Sequence, residues 1–343
     1  MEICQLLVSG TGGLSKHVVE LSNTLAKQGH SVITVAPEDC QRQLSAGVRY
    51  CHIKPEAKFR SFIYTLKLLF LVMKINPDVV HAHGKESSIH LARIKPFIRA
   101  KTVGTIHWHQ KRKKDFRGFN RLDGVIGVGD GVFELLSNQS RAVIYNGVSE
   151  PKTGTQTRTE LVSEFGLDPE LPLALAIGRL VRGKGFHILL DAWRGIEANL
   201  LIIGDGPEYQ SLCEQSHTMG LESRVCITGA IPAAARLFDV ADLAVVTSYK
   251  EGFSYVIAES LMSETPVIST EINGADVLLP PHMVVPVGDA ELLREKIIAY
   301  FSDKEGYASS FLDVFSWAKR SLTLEKMAEN VVDFYKRVGV RSS

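Results

Sequence analysis

Short apolar runs alternate with longer stretches of helical periodicity along nearly the whole chain. In the front half, residues 3–8, 31–36, 79–82 and 102–107 read as strands, with helices near 15–28 and 59–75. Residues 125–128 and 142–144 read as the last strands of that series. Alternation of this kind implies parallel βαβ units in an open sheet. The polar, turn-rich run Pro151-Lys152-Thr153-Gly154-Thr155-Gln156-Thr157 marks a break, and 151–170 read as a linker. A second series follows, with strands at 173–177, 200–203, 225–228, 243–247 and 267–269. Helices are expected near 187–194, 208–219, 233–239 and 254–262. The expected division is therefore a first domain over 1–150, the linker, a second domain over 171–322, and a tail over 323–343. In the tail Met327, Val331, Phe334, Tyr335 and Val338 recur at helical spacing.

Composition changes this picture little. The chain has 343 residues, 45% of them hydrophobic and 22% charged, enough for two buried cores. No secretory leader is expected, and the longest apolar stretch, 62–75, is short and broken by Lys67 and Lys74. The five cysteines lack C-x-x-C spacing and read as reduced core residues of a cytoplasmic protein. Charge is more informative. Residues 1–150 hold 21 Lys and Arg against 12 Asp and Glu, whereas the remainder holds 18 against 26. A basic front half suits an anionic acceptor or surface, although solvated lysines on an ordinary domain give the same count.

The chemistry concentrates in two loops of the second series. Glu251 and Glu259 bracket a Gly-led turn that opens an apolar helix, which puts the two carboxylates about two helical turns apart. The amides near Phe253, Ser254 and Tyr255 head that helix and suit an anion. Upstream, Arg179 and Lys184 stand in a Gly-rich loop directly after a strand. Two acids, two bases and a helix N-terminus suit a polyhydroxylated ligand carrying a diphosphate.

This Glu-x7-Glu element with its Arg-x4-Lys loop resembles the retaining, family 4-type glycosyltransferases of the GT-B fold. Further landmarks recur in order: Gly12-Gly13, Asp78-Val79-Val80-His81-Ala82-His83, Tyr145-Asn146-Gly147-Val148, Gly204-Asp205-Gly206-Pro207, Ala241-Asp242-Leu243 and Thr265-Pro266-Val267-Ile268. The resemblance implies an α/β protein with two facing Rossmann-like domains around one cleft, and a C-terminal helix that crosses back to the first domain. It implies that a nucleotide-diphosphate sugar, a UDP-sugar, is held by Arg179, Lys184, Gly204, Phe253, Ser254, Tyr255 and Glu259. Gly12 and Gly13 approach the donor phosphate from the first domain. Glu259 takes the ribose hydroxyls. Glu251 and His107 meet the donor sugar at the reaction centre, and His83 with His107 faces the acceptor. Arg179 and Lys184 are expected to stabilise the leaving diphosphate. A departing phosphate oxygen takes the acceptor's proton on one face of the sugar, and Glu251 as a covalent nucleophile is the less favoured route. The expected product is a hexosylated glycan or lipid-linked acceptor of surface polysaccharide or lipopolysaccharide biosynthesis. The co-substrate is the sugar nucleotide, with no cofactor and no metal.

Other readings stay open on the residues alone. His81, His83, His107 and His109 form two His-x-His pairs at strand ends, which offers a metal site. No carboxylate or cysteine completes that set, and a site without metal is the favoured reading. The loop Gly10-Thr11-Gly12-Gly13-Leu14-Ser15 half-matches a dinucleotide fingerprint, so an NAD(P)-dependent oxidoreductase is one alternative. A sugar-nucleotide epimerase on the same fold and a non-catalytic nucleotide-sugar binder are two others. The helix near 59–75 carries Phe62, Leu66, Leu69, Phe70 and Met73 among lysines. Packing on the sheet is its plainer reading, and peripheral contact with the cytoplasmic face of a membrane is the second, helped by Lys111-Arg112-Lys113-Lys114. Nucleic acid is not expected, because no aromatics interleave the basic run. Glu264 stands where a Gly is usual before the Thr-Pro turn, and Asn273-Gly274-Ala275-Asp276 replaces Gly-Gly-x-x-Glu. Those departures bear on the base and ribose contacts.

Overall fold

The computed structural model describes every residue except 11, 54–59, 109–111, 134, 138–139, 151–156 and 341–343. It divides into two units, Met1–Gly147 with Leu324–Ser343, and Val148–Thr323. In the first unit the strands are β1 (Glu2–Leu6), β2 (Ser31–Val35), β3 (Val48–Cys51), β4 (Val79–His83), β5 (Lys101–Ile106), β6 (Gly124–Gly127) and β7 (Arg141–Val143). They form one parallel sheet in the order β3-β2-β1-β4-β5-β6-β7. The second unit contains β8 (Leu173–Ile177), β9 (Asn199–Ile203), β10 (Val225–Gly229), β11 (Leu243–Val246), β12 (Val267–Thr270) and β13 (Val284–Val285). Its order is β10-β9-β8-β11-β12-β13, again parallel throughout. Each sheet is doubly wound and reverses its strand order once, between β1 and β4 and between β8 and β11.

An aspartate pins the amino ends of the strands at both reversals. Asp78 precedes β4, and its Oδ2 accepts the Glu2 N–H of β1 at 2.7 Å. Asp242 precedes β11 and accepts the Leu173 N–H of β8 at 2.8 Å. Asp123 repeats the device before β6, taking the N–H and hydroxyl of Thr102 at 2.8 and 2.7 Å. A strand's first N–H has no ladder partner of its own, so a fixed carboxylate at that point sets where the strand begins.

Its strands are buried at nearly every position, so both faces of the first sheet are covered. Leu6, Val80, Ala82, Ile106 and Val125 pack to one side with Leu68, Val72 and Leu91. Ile3, Val79, Val103 and Ile126 pack to the other, where the chain returns as the helix Leu324–Arg337 and seats Met327, Val331 and Phe334 against them. Cys4 and Cys40 are buried and Cys51, Cys213 and Cys226 half-buried, all free thiols.

The structure corrects several expectations. The linker placed at 151–170 is interrupted by the helix Arg158–Glu164, which belongs to the second unit. Its cause is local: Thr157 and Glu160 form a reciprocal capping box, and Leu161 and Val162 are buried behind it. Residues 151–156 lie outside the described residues. The strand β3 and the helices Gly84–Ile94, Ala290–Ser302 and Leu312–Ser321 come in addition to the elements expected. In the landmark run Tyr145–Val148, Asn146 and Gly147 are buried.

The helix Arg60–Ile75 has two apolar faces rather than one. Tyr64, Leu68 and Val72 are buried, whereas Phe62, Leu66, Phe70 and Met73 are 72, 41, 63 and 56% exposed. The residues that seemed fit for the core are therefore mostly the outer row.

Glu264 takes the left-handed conformation that glycine would adopt without cost, φ +57°. It closes the helix Tyr255–Met262 as a Schellman turn, with Thr265 N–H on the Ser260 carbonyl at 2.9 Å and Glu264 N–H on that of Leu261 at 3.2 Å. The turn is thus built in the usual way around an unusual residue, which an ion pair with Lys319 helps to hold. Glu264→Gly is expected to raise stability slightly, by up to about 0.5 kcal/mol, the left-handed cost less the lost ion pair and the added freedom of the unfolded chain. Urea unfolding measures it, and a stability loss would show that the ion pair outweighs the backbone.

Candidate active site

In the second unit the site grows from the carboxyl ends of β8 and β11, at the reversal of strand order. The chain leaves β8 through Gly178 and Arg179 and turns tightly at Arg182–Lys184. Gly185 ends that turn at φ +69°, where a Cβ would stand 2.1 Å from the Thr247 carbonyl oxygen, so only glycine fits. Two hydrogen bonds then tie the turn to the segment after β11. Thr247 Oγ1 donates to the Lys184 carbonyl at 2.9 Å, and Tyr249 N–H donates to the Gly183 carbonyl at 2.9 Å. The Lys184 ammonium is delivered to Glu251 Oε1, which also accepts from Ser248 Oγ at 2.8 Å. Glu251 is buried. Such a pair offsets the desolvation of its charges only when the geometry is fixed, and here both backbones are anchored. Thr270 Oγ1 donates to the Ser248 carbonyl at 2.7 Å, and Asn273 Nδ2 donates to the Gly252 carbonyl at 2.7 Å. Ser248, Thr247, Gly185 and Asn273 were not picked out as site residues from the sequence. The signal for Asn273 was its unusual place in the Asn-Gly-Ala-Asp run.

Behind the turn, backbone lies directly on backbone. A Cβ on Gly204 would stand 1.8 Å from the Gly178 carbonyl oxygen. Gly178 N–H donates to the Ile203 carbonyl and Gly204 N–H to that of Gly229, both at 2.9 Å. Gly178, Arg179, Gly204, Asp205, Ala230 and Ile231 line a cavity of about 260 Å³. Ser254 is the N-cap of the helix Tyr255–Met262, its Oγ facing the Ile257 N–H at 3.5 Å. Phe253 and Ser254 are buried, and Glu259 is half-buried on the same helix. Arg182 extends into solvent and meets Glu208 at 4.0 Å.

The first unit holds a different chemistry. Gly12 and Gly13 are exposed at the start of the helix Gly13–Lys27. At the ends of β4 and β5 stand His83 and His107, and the first turns of the helix bring His17 to them. Ring centroids lie 4.5 Å apart for His17 and His107, 5.2 Å for His17 and His83, and 5.5 Å for His83 and His107. The His81 ring lies against that of His83, with centroids 4.3 Å apart, but both its nitrogens are taken by Tyr335 and Thr105, and His109 lies outside the described residues. The expected pairing of two His-x-His motifs is therefore replaced by a cluster that includes a helix residue.

A buried chain of hydrogen bonds sets the tautomers. Gln5 Nε2 donates to the Tyr335 hydroxyl at 3.3 Å, so that hydroxyl gives its proton to His81 Nδ1 at 2.7 Å. His81 Nε2 then donates to Thr105 Oγ1 at 2.6 Å. His83 Nε2 donates to Gln5 Oε1 at 2.6 Å, which leaves the His83 Nδ1 lone pair facing His107 Nε2 at 3.2 Å. Burial disfavours the charged form of all these rings. His17 is pushed down to about 4, with Asn146 beside it pulling weakly the other way. His81, His83 and His107 lie well below the usual histidine range through burial and then through one another's charge. Neither ring nitrogen of His17 makes a hydrogen bond, and neither does Asn146 Oδ1.

These histidines are neutral when folded and protonated when unfolded below about pH 6.5, so their stabilisation is complete above that pH. It is lost as pH falls from about 6.5 towards 4, by about 3 kcal/mol for His17 alone, the equivalent of its shift to about 4. Urea unfolding with a chelator at pH 7.5 and pH 5 should show the loss, and His17→Gln should make it shallower. An unchanged pH dependence in that variant would assign acid lability to other groups.

Comparison with known proteins agrees with this architecture. The profile of the family "Glycosyl transferases group 1" matches residues 157–310, and that of "Glycosyltransferase Family 4" matches residues 11–150. A lipopolysaccharide core biosynthesis glycosyltransferase of Rhizobium meliloti is 26% identical over 302 residues, covering 85% of this chain and 86% of that one. A Bacillus subtilis protein named for teichuronic acid biosynthesis is 28% identical over 246 residues, 65% of this chain and 61% of its own length. The crystal structure of Anabaena HepE in complex with UDP superposes with a TM-score of 0.87 at 19% identity, covering 98% of this chain and all of that one. Two matched profiles, one on each doubly wound half, take the place of the oxidoreductase and epimerase readings, and the chain belongs to the group 1, family 4 glycosyltransferases.

Proposed function

We propose that the protein transfers a hexose from a UDP-sugar to a glycan or lipid-linked acceptor of a cell-surface polysaccharide, with retention of anomeric configuration and without a resident metal. The observation that carries the reading is the pair of half-buried Lys184 and buried Glu251, held at the reversal of the second sheet in the loop that also carries Arg179. Ligands of doubly wound sheets bind at such a point. The neighbouring cavity, walled by the Gly178 and Gly204 backbone, suits a flat base and its ribose.

In this reading Arg179 and Lys184 hold the diphosphate. The anomeric carbon–oxygen bond breaks, and both electrons go to the β-phosphate oxygen. Fixed cations stabilise that growing charge more in the transition state than in the ground state. The same oxygen takes the proton of the attacking acceptor hydroxyl, whose oxygen closes the new glycosidic bond on the face just vacated. Glu251 restrains the Lys184 ammonium before the donor arrives and then accepts hydrogen bonds from the sugar hydroxyls. Glu259 takes the ribose. The first unit, with His83 and His107, carries the acceptor side, and its basic excess suits an anionic one.

A membrane-facing role rests on its own observation, the outer row of Phe62, Leu66, Phe70 and Met73 with exposed Lys67 and Lys74 on the same helix. No helix among the described residues is long and apolar enough to cross a membrane. An amphipathic helix that lies in the headgroup region meets both facts.

Thermal shift against UDP, UDP-glucose, UDP-N-acetylglucosamine, GDP-mannose and NAD tests the donor. Stabilisation by a UDP-sugar is expected, with affinity about tenfold or more weaker in Arg179→Ala and Lys184→Ala. Glu251→Gln should lower kcat about 100-fold or more and leave the Kd for UDP within about threefold. Stabilisation by NAD alone would overturn the reading, and by GDP-mannose alone would change the nucleotide. For the membrane, sedimentation with phosphatidylglycerol vesicles should fall in Phe62→Ser/Phe70→Ser and in high salt. Equal sedimentation of the variant would remove the helix from that role.

A further inference from the structure

We propose that His17, His83 and His107 form a binding site for one divalent transition cation of the zinc class, separate from the groups assigned to the donor diphosphate. The donor atoms of the three rings all lie within 4.8 Å of one another. Ligand nitrogens around a tetrahedral zinc ion, each about 2.0–2.1 Å from the metal, are about 3.3–3.4 Å apart, so small ring rotations suffice.

Two features favour a cation over a chance meeting of rings. The first is orientation. His83 Nε2 is committed to Gln5 Oε1, so Nδ1 faces the cluster, and Gln5 is itself held by Tyr335. A ligand histidine whose far nitrogen is fixed by a second group is the usual support of a zinc centre. The second is a shortage of partners. His17 is 3% exposed, and the Asn146 side chain beside it lies outside strict hydrogen-bond geometry and could satisfy at most one ring nitrogen, so at least one stays without a partner. Buried polar atoms in that condition call for a water or an ion.

Of the three histidines His83 also borders a cavity of about 450 Å³, together with Ser9, Leu14, Gly84, Lys85 and Glu86. Three protein ligands leave a fourth position open, as in sites that bind an exchangeable group. Before the cation arrives, the His83 Nδ1 lone pair is engaged by His107 at 3.2 Å. Binding replaces that single contact with metal–nitrogen bonds and also engages His17. The proposed reaction routes no step through this ion, and its place among the residues given to the acceptor side makes occupancy inhibitory.

The test uses the whole protein, stripped with a chelator and titrated with Co²⁺ and then Zn²⁺, with no donor or acceptor present. One equivalent of Co²⁺ should give the visible bands of a four- or five-coordinate nitrogen and oxygen site, bleached by Zn²⁺. His17→Gln and the partly exposed His107→Gln should each weaken binding about 100-fold or more, and Gln5→Leu, which only orients His83, about 10–100-fold. Circular dichroism establishes that each variant is folded. No visible bands, or bands unchanged in a folded His17→Gln and His107→Gln, would overturn the site. An intense near-ultraviolet thiolate band would overturn it too, by placing the ion on cysteine. Because nothing in the assay depends on sugar nucleotides, its failure leaves the donor reading standing, and failure of the donor assay leaves this one standing.

Discussion

Both halves of the molecule depend on how the two strands at each reversal of strand order are held together. A parallel strand begins with an N–H that its own ladder does not reach, and burial makes an unpaired one expensive. Asp78 and Asp242 meet that need at equivalent places, each reaching from the strand after the reversal to the first residue of the strand before it. Arg158 and Lys304 then neutralise Asp242, at 3.1 and 3.0 Å. With the amino ends fixed, the carboxyl ends are free to diverge into loops, and the chemistry of both units sits there. The aspartates do no chemistry themselves, but the position of every loop residue above them is referred to their register.

The two units use that shared frame in opposite electrostatic ways. In the second, the loops bring full charges together, with Lys184 against Glu251 and Arg179 on the cavity wall. In the first, the equivalent crevice is lined by rings that burial keeps uncharged, and its basic residues lie mostly outside. A charged crevice suits a ligand that carries its own phosphates. An uncharged one with directed lone pairs suits hydroxyl groups or a soft cation, and repels neither.

How much of this was legible in the sequence varies by the reach of the interaction. Alternation of apolar runs marked most strands of both sheets, because strand burial on both faces is a local composition signal. The short edge strand β3 escaped, since Val48-Arg49-Tyr50-Cys51 is half polar. Thr157 and Glu160 carried a readable cap signal that was absorbed into a linker instead. Arg179, Lys184 and Glu251 were found through glycine spacing, although glycine spacing says nothing of Thr247, which holds Lys184 from 63 residues away, or of Ser248, which holds Glu251 from within its own loop. Asp78 and Asp242 were quoted only as landmarks, and their work at the sheet edge is visible only once strands are paired. His17 was missed because its neighbours come from β4 and β5. A hint existed, since it shares the buried stripe of Leu21 and Leu25 on its helix, an uncommon place for a polar ring.

The contact of Gly204 with Gly178 has a consequence for how this protein can change. The rear wall of the cavity in the second unit is made of main chain against main chain, with no side chain to enlarge, shrink or recharge. Substitution at Gly204 disturbs the frame before it alters the fit. Variation in what the cavity accepts, whether by selection or by design, is therefore channelled to lining residues that carry side chains, such as Ala230, Ile231 and Ala234, where size can be changed.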